Sequence, residues 1–483
     1  MPLIEFLGQS VQDQDNVAVN TSRLINCYRE MVVGAGKSQY VIQSVLGQDL
    51  LGNVGSSPVR ALGQGNGQNW AIGDGDLYSL AMDGTPTDTS QNVADDANTV
   101  IAGNYSDVTI TAGDNYYIYD GTTVSEPSDK TFTDVASHFY FGGYTVLLER
   151  NGKRFQWSSL GDASTLNALH FSSAEKVDDN LVRGFEVQGT AVLFCETSAE
   201  MWQLTGAAGA QAFAFVTSWN RGLKSHNLAV KFDDSLFFVG EDNNVYLGVG
   251  PGAIDITTPA INTALQQNTA THCFYYEDRG HKFCVLRFSD RAAWVYDVKM
   301  REWHERAEGA DDGAWQACAS IEGDTWQVGS IDGEIFSLSR SNLDLSAPLR
   351  RTMISSPIYL GDRKFRVSKL EINARVGEVM LNEMTDYALS LDPGFALALD
   401  SGFVLKLGGT DGAEVPGEIS LCVSRDGGRT WTDPKVRSLG LSGDYQQRAI
   451  WRALGQAQQF AVKATIDEPA DYQVNSTAVV QIA

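Results

Sequence analysis

Between about residue 59 and residue 340 the chain repeats one pattern, a polar turn followed by a short apolar strand that carries an aromatic. Gly73-Asp74-Gly75-Asp76-Leu77-Tyr78, Gly113-Asp114-Asn115-Tyr116-Tyr117, Asp242-Asn243-Asn244-Val245-Tyr246 and Asp332-Gly333-Glu334-Ile335-Phe336 are clear copies. More divergent copies are anchored on Phe155-Gln156-Trp157, Met201-Trp202 and Trp294-Val295-Tyr296. The anchors recur roughly every 40–50 residues, the length of one four-stranded propeller blade. A hairpin cannot bury its apolar face alone, so such units stack around an axis. Stacked β-sandwiches would instead repeat at about 90–100 residues. The pattern predicts an all-β chain with a β-propeller of about seven blades over residues 57–345.

The blade period is missing at both ends. Residues 1–56 show few strand signals beyond Tyr40–Val45 and read as an N-terminal arm packing near the C-terminal domain. From residue 346 a long alternating strand, Phe365–Ala374, precedes a Gly/Ala/Leu-rich segment, Ser390–Phe403, that reads as a loop or insertion. Ile419, Leu421 and Val423 then alternate into Ser424-Arg425-Asp426-Gly427-Gly428-Arg429-Thr430-Trp431, a complete Asp-box, S-x-D-x-G-x-T-W. Its Ser and Asp oxygens suit backbone amides inside a hairpin turn, glycine takes the positive φ, and Thr-Trp restarts a strand. A second strand pair is expected around Gln447–Leu454 and Gln459–Ile466, joined by Gly455. Residues 346–483 therefore read as a β-sandwich-like domain with an Asp-box hairpin.

Composition narrows the class. No apolar run approaches a membrane span, and Met1-Pro2-Leu3-Ile4-Glu5 is not the start of a secretory signal. Six cysteines without C-x-x-C spacing read as reduced core residues of a protein made in a cytoplasm. The formal charge of −24, from 60 acidic and 36 basic residues, makes a poor nucleic-acid binder. Such a surface can still wall a passage that DNA touches transiently.

No constellation carries catalysis. Gly34-Ala35-Gly36-Lys37-Ser38 fails as a P-loop on spacing. The histidines form no metal-binding spacing, and in Trp303-His304-Glu305 strand alternation puts His and Glu on opposite faces, with a surface role for the histidine. Asp178-Asp179-Asn180 and Asp311-Asp312-Gly313 lack the alternate oxygens of a calcium loop and read as turns. Sialidases combine propellers with Asp-boxes, but the single box here lies outside the blades, and no arginine cluster with a Tyr nucleophile is evident. No catalytic residue, cofactor or metal is nominated.

Three ordered strings nevertheless resemble one family. The C-terminal string comprises the Asp-box (Ser424, Asp426, Gly428, Thr430, Trp431), then Gly443, Tyr445, Arg448, Trp451-Arg452, Leu454-Gly455, Phe460 and Val462. Near the start, Arg23, Asn26 and Tyr28 follow an R-x-x-N-x-Y-P-E motif in which Arg29 replaces the proline. In the middle, Trp157, Glu175 and Trp202 sit in F-x-W-S, A-E-x-x-D and E-x-W. Together they resemble the tail hub, or nozzle, the packaged-DNA stabilisation protein of short-tailed bacteriophages. The resemblance implies a non-enzymatic virion protein of the tail, synthesised in the host cytoplasm. It further implies a homohexameric ring, with the C-terminal domain as a platform, below the portal and its adaptor ring. The ring would extend the DNA channel, help retain packaged DNA, and anchor the tail needle or plug and the tail fibres or spikes. The alternative is a receptor- or glycan-binding propeller module. Arg350-Arg351, Arg363-Lys364 and Arg366 are candidates for subunit or adaptor contacts, or else a solvated basic edge.

Overall fold

The computed structural model describes residues 3–7, 22–32, 39–103, 106–249, 252–309, 312–345, 347–361, 363–376, 417–440, 448–467 and 472–482. The glycine-rich stretch at 33–38, the segment Ser390–Phe403, Gly443, Tyr445 and Asp311 lie outside them. The described chain is β throughout except for a three-residue 3-10 turn and the helix Pro259–Gln267. Thr258 caps that helix by accepting the Ile261 amide at 3.4 Å, and proline occupies its first turn.

Among the described residues six blades each consist of four consecutive antiparallel strands. Their first strands are Ala61–Gly65, Val100–Gly103, Val135–Phe141, Leu181–Val187, Ala229–Phe232 and Ala270–Asp278. Two of the recurring polar turns, Asp74-Gly75 and Gly113-Asp114, are two-residue hairpin loops, whereas those at 331–333 and 240–244 are longer. Asp74 and Gly75 join Gln68–Gly73 to Asp76–Leu80 with φ of 52° and 84°. Positive φ at both positions matches the twist of the flanking strands, which is why Asp and Gly occupy this turn and Gly113-Asp114, where φ is 54° and 70°. The expected count of about seven differs from these six by one further unit of mixed origin. In it Ala317–Glu322, Trp326–Ser330 and Glu334–Ser339 are completed by Gly47–Asn53 from the N-terminal segment, antiparallel to Glu334–Ser339. Ring closure is thus a pairing between the two ends of the propeller.

A separate apolar cluster seals each pair of neighbouring units. Between blades 3 and 4 it holds Phe155, Trp157, Trp202 and Phe213. Between the composite unit and blade 1 it holds Val54, Val59, Leu80 and Ile335. Each large side chain removed from water there stabilises the stack by about 1.5–3 kcal/mol.

The sandwich core lies between two sheets and contains Ile4, Leu24, Leu370, Leu421, Trp451, Phe460 and Val480. One sheet is built on Phe365–Val376, which pairs with Thr477–Ile482, Tyr472–Asn475 and Arg448–Ala457. Leu3–Glu5 extends its edge beyond Thr477–Ile482, and Tyr40–Ser44 with Cys27–Met31 extend it beyond Tyr472–Asn475. The other sheet is continuous with the propeller. Blade 6 ends in Glu302–Glu308, and the order then runs Arg23–Ile25, Arg351–Ile354, Gln459–Ile466, Gly417–Ser424, Lys435–Gly440.

Two expectations are corrected. The segment expected as an arm through residue 56 divides: its earlier strands join the sandwich sheets, whereas Gly47–Asn53 belongs to the propeller. Gly455 does not turn one strand back on the next. Arg448–Ala457 and Gln459–Ile466 join different sheets, and Gly455 (φ 94°), with Ala453 (φ 57°), lies inside the first of them. The pairing register shifts opposite these residues, between Val367 and Lys369, so Ala453 faces solvent and Leu454 resumes the buried side. Glycine suits this position because a side-chain-bearing residue would be strained at φ 94°, and a Cβ would also displace the Arg425 guanidinium, 2.8 Å away.

Two truncations separate these roles. Removing residues 1–45 should lower the melting temperature yet leave a protease-resistant 47–345 fragment, while removing 1–53 should open the ring and make the blades digestible. Limited proteolysis with mass spectrometry reads both, and identical digestion patterns would contradict the closing role of Gly47–Asn53.

Candidate functional site

The three-residue strand Arg23–Ile25 is the only strand joining the two domains in one sheet among the described residues. It runs parallel to blade 6 through Ile25 opposite Glu305, and antiparallel to Arg351–Ile354. Glu305 is fully buried. The Arg23 guanidinium grips it through Nε at 2.7 Å and Nη2 at 2.5 Å, and Arg291 adds a bond at 3.3 Å. Burial pushes the Glu305 carboxyl up, but the two guanidiniums outweigh that and hold it below its ordinary range.

Asn26 follows in the left-handed region, φ 58°, a conformation asparagine tolerates better than most side chains. Its Nδ2 donates to the Arg350 carbonyl at 2.8 Å, while Oδ1 accepts from the Ala307 amide at 2.9 Å and Arg306 Nη1 at 3.1 Å. One side chain thereby ties the N-terminal segment, blade 6 and the entrance to the sandwich. Behind it Arg306 lies 3.6 Å from Asp344, Asp344 accepts from Gln48 at 2.8 Å, and Gln48 accepts from Trp315 Nε1 at 2.9 Å. The chain of polar contacts runs from the seam into the closing strand. Tyr28 is buried beside Phe283, His281 and His304 and donates to Asp278 at 3.4 Å. Arg29 lies over the Tyr40 ring at 4.0 Å and 3.4 Å from Glu302.

The Asp-box is a self-contained turn. The Ser424 hydroxyl donates to Asp426 at 2.7 Å and accepts the Gly428 amide at 2.7 Å. Asp426 also accepts from the Arg429 and Thr430 amides and the Thr430 hydroxyl, at 3.1, 2.9 and 2.6 Å. Partial desolvation opposes ionisation, yet these bonds hold the Asp426 carboxyl down at about 2. Trp431 is half-buried, and the next strand begins at Lys435.

The remaining motif residues are spread through the fold. Trp157 is fully buried and donates to the Gly209 carbonyl at 3.1 Å. Trp202 donates to the buried Glu200 at 3.0 Å, which also accepts the Lys176 amide at 2.7 Å. Glu175 is exposed; nearby, buried Asp179 fixes the next turn by accepting from the Thr197 amide and hydroxyl, both at 2.8 Å. Trp451 donates to the Lys435 carbonyl at 2.7 Å across the sandwich, and half-exposed Arg448 lies 3.6 Å from Glu371. Arg23, Asn26 and Tyr28 come together at the seam, and the other motif residues do not join them. Arg291, Arg306 and Gln48 carry no signal in the sequence, and Glu305 stands out there only as the neighbour of His304.

His304 is not at the surface. Both faces of its strand are covered, and burial pushes its imidazole down to about 4. Arg351 is likewise interior, donating to Asn342 at 3.2 Å, so of the basic candidates only Arg363, Lys364 and Arg366 are exposed. Among the described residues no cluster of His, Cys, Asp and Glu could hold a metal ion. The six cysteines are free, and five of them are buried.

A family model described as bacteriophage P22 Gp10, β-propeller, matches residues 33–341, and another described as bacteriophage P22 Gp10, β-sandwich, matches residues 396–481. The first match begins before the closing strand and ends after its partner, so it takes in the composite unit. No curated protein matches the chain. The extracellular domain of a hybrid two-component system from B. thetaiotaomicron is similar at a TM-score of 0.42 and 10% identity, over 60% of this chain and 39% of that one. A likeness that weak carries no argument.

Asp426→Ala should cost about 1–3 kcal/mol for its lost turn bonds, toward the low end because the box faces solvent. Since the folded carboxyl titrates at about 2 against 3.8 ordinarily, its stabilisation is complete above the ordinary value and disappears as pH falls through about 2. Melting of wild type and Asp426→Asn should therefore converge over that window. A gap that is constant from neutral pH to the acid limit would show that the carboxylate is not what holds the turn.

Proposed function

The chain belongs to the bacteriophage P22 Gp10 family of tail hub, or packaged-DNA stabilisation, proteins, and on that premise we propose that it forms the nozzle of a short-tailed phage. Six copies assemble as a ring beneath the portal-adaptor, prolong the DNA channel and help retain the packaged genome. The ring also carries the tail needle or plug and the fibres or spikes. The protein works without catalysis, and it is made in the host cytoplasm before joining the virion.

The observation that supports this reading best is the sheet that passes unbroken from blade 6 into the sandwich. A wall that contains pressurised DNA must pass force from one domain to the next without a hinge, and interstrand hydrogen bonds along one sheet do that. The charge fits the same role. With 60 acidic and 36 basic residues, a channel wall drawn from this surface repels phosphates within a Debye length of about 8–10 Å. Lys and Arg on that wall would exchange counterions with the duplex and retard it. Six such charges also repel each other, so the contacts between copies need apolar burial or local pairing, and exposed Arg363, Lys364 and Arg366 supply cations for it.

Electron microscopy of the purified chain, with and without its adaptor, tests the proposal. A ring with a negative lumen is expected, and Arg363→Glu with Arg366→Glu should reduce ring formation while the melting temperature holds. A chain that stays monomeric at every salt concentration, even with the adaptor present, or that is retained on glycans as a monomer, would overturn it.

A further inference from the structure

The propeller axis holds a half-open cavity of about 240 Å³ bounded by the first strands of blades 1, 2, 4, 5, 6 and the composite unit. Its charge is opposite to that of the molecule. Arg60, Arg183 and Lys231 line it together with His272, and among the described residues no Asp or Glu does, in a chain with 60 acidic and 36 basic residues. Arg60 is held by Asp95 at 2.6 and 3.0 Å, and Lys231 pairs with Glu186 at 2.5 Å. Arg183 has no carboxylate partner among the described residues. Its Nη1 donates to the His226 and Ala229 carbonyls at 2.9 and 3.3 Å, its guanidinium lies 4.9 Å from the Phe185 ring, and Nε and Nη2 make no further bond there. Desolvation of that charge pushes even the guanidinium down, to about 10. The buried Nδ1 of His272 is also without a hydrogen-bond partner. Arg183 is half-buried, so these spare donors are turned to the cavity and open to an anion or ordered water.

We propose that this axial cavity binds one small oxyanion of the phosphate or sulfate class, held through Arg183 and His272. The volume is below the roughly 300–1,000 Å³ typical of organic-ligand sites, which suits a compact anion with a few waters. A guanidinium offers such an anion paired N–H donors in a plane, and Arg60 and Lys231 add field from neighbouring blades. The bound ion would join blades 4 and 6 across the axis, acting as a pin in the ring.

Equilibrium dialysis of the full chain against radiolabelled inorganic phosphate, at constant ionic strength in chloride, tests this directly. About one phosphate per chain at roughly millimolar concentration is expected, with melting raised by phosphate or sulfate over chloride. Arg183→Gln should weaken uptake by about tenfold or more. His272→Phe, which leaves the Arg183 carbonyl bonds in place, should also weaken it and decides the matter if Arg183→Gln does not fold. Wild-type protein that takes up no phosphate and melts alike in all three anions overturns the proposal, as does unchanged uptake by the folded variants.

Discussion

A carboxylate without solvent, Glu305, stands where the propeller ends and the sandwich begins, and the architecture depends on keeping it paired. An isolated buried carboxylate would neutralise itself or expel its surroundings. Arg23 meets this one from the N-terminal segment and Arg291 from blade 6. Satisfying it fixes the strand Arg23–Ile25 between the two domains. Asn26 then consumes the neighbouring backbone groups of Ala307 and Arg350, so the seam leaves little polar surface for water to enter.

The same segment acts twice. After closing the seam and contributing strands to the sandwich, it supplies Gly47–Asn53 to complete the ring of blades. A propeller that closes with a strand from its far end cannot shed that end without opening. A segment stitched into both domains couples them more tightly than a linker could, since separating the domains means breaking sheet pairing as well as side-chain contacts. For a protein whose family holds packaged DNA in place, this coupling is the mechanical content of the fold.

Much of this was legible in local sequence and part was not. The blade period could be read because each copy carries its own turn chemistry, as at Asp74-Gly75, and the alternation at Phe365 onward or Ile419–Val423 reports one buried face. The composite unit could not, because Gly47–Asn53 finds its partner near the other end of the propeller and its sequence, GQDLLGN, has no alternation of its own. Gly455 looks like a turn because glycine between two apolar runs usually is one, whereas here it accommodates a bulge beneath Arg425. The role of Glu305 was hidden by the same rule that found the strands. Alternation presumes that one face is wet, and Trp303, His304 and Glu305 are all buried because the N-terminal strand and the sandwich cover what would be the open side.

The central claim is that the Glu305 seam makes propeller and sandwich one cooperative body, and calorimetry of Glu305→Ala tests it most directly. Breaking a buried pair from one side costs about 3–5 kcal/mol, and here that cost falls on the junction and not on either core. The wild-type chain is predicted to melt in a single transition, and the variant in two, the sandwich first and the propeller close to its original temperature. A variant that still melts in one transition at the wild-type temperature would contradict the account.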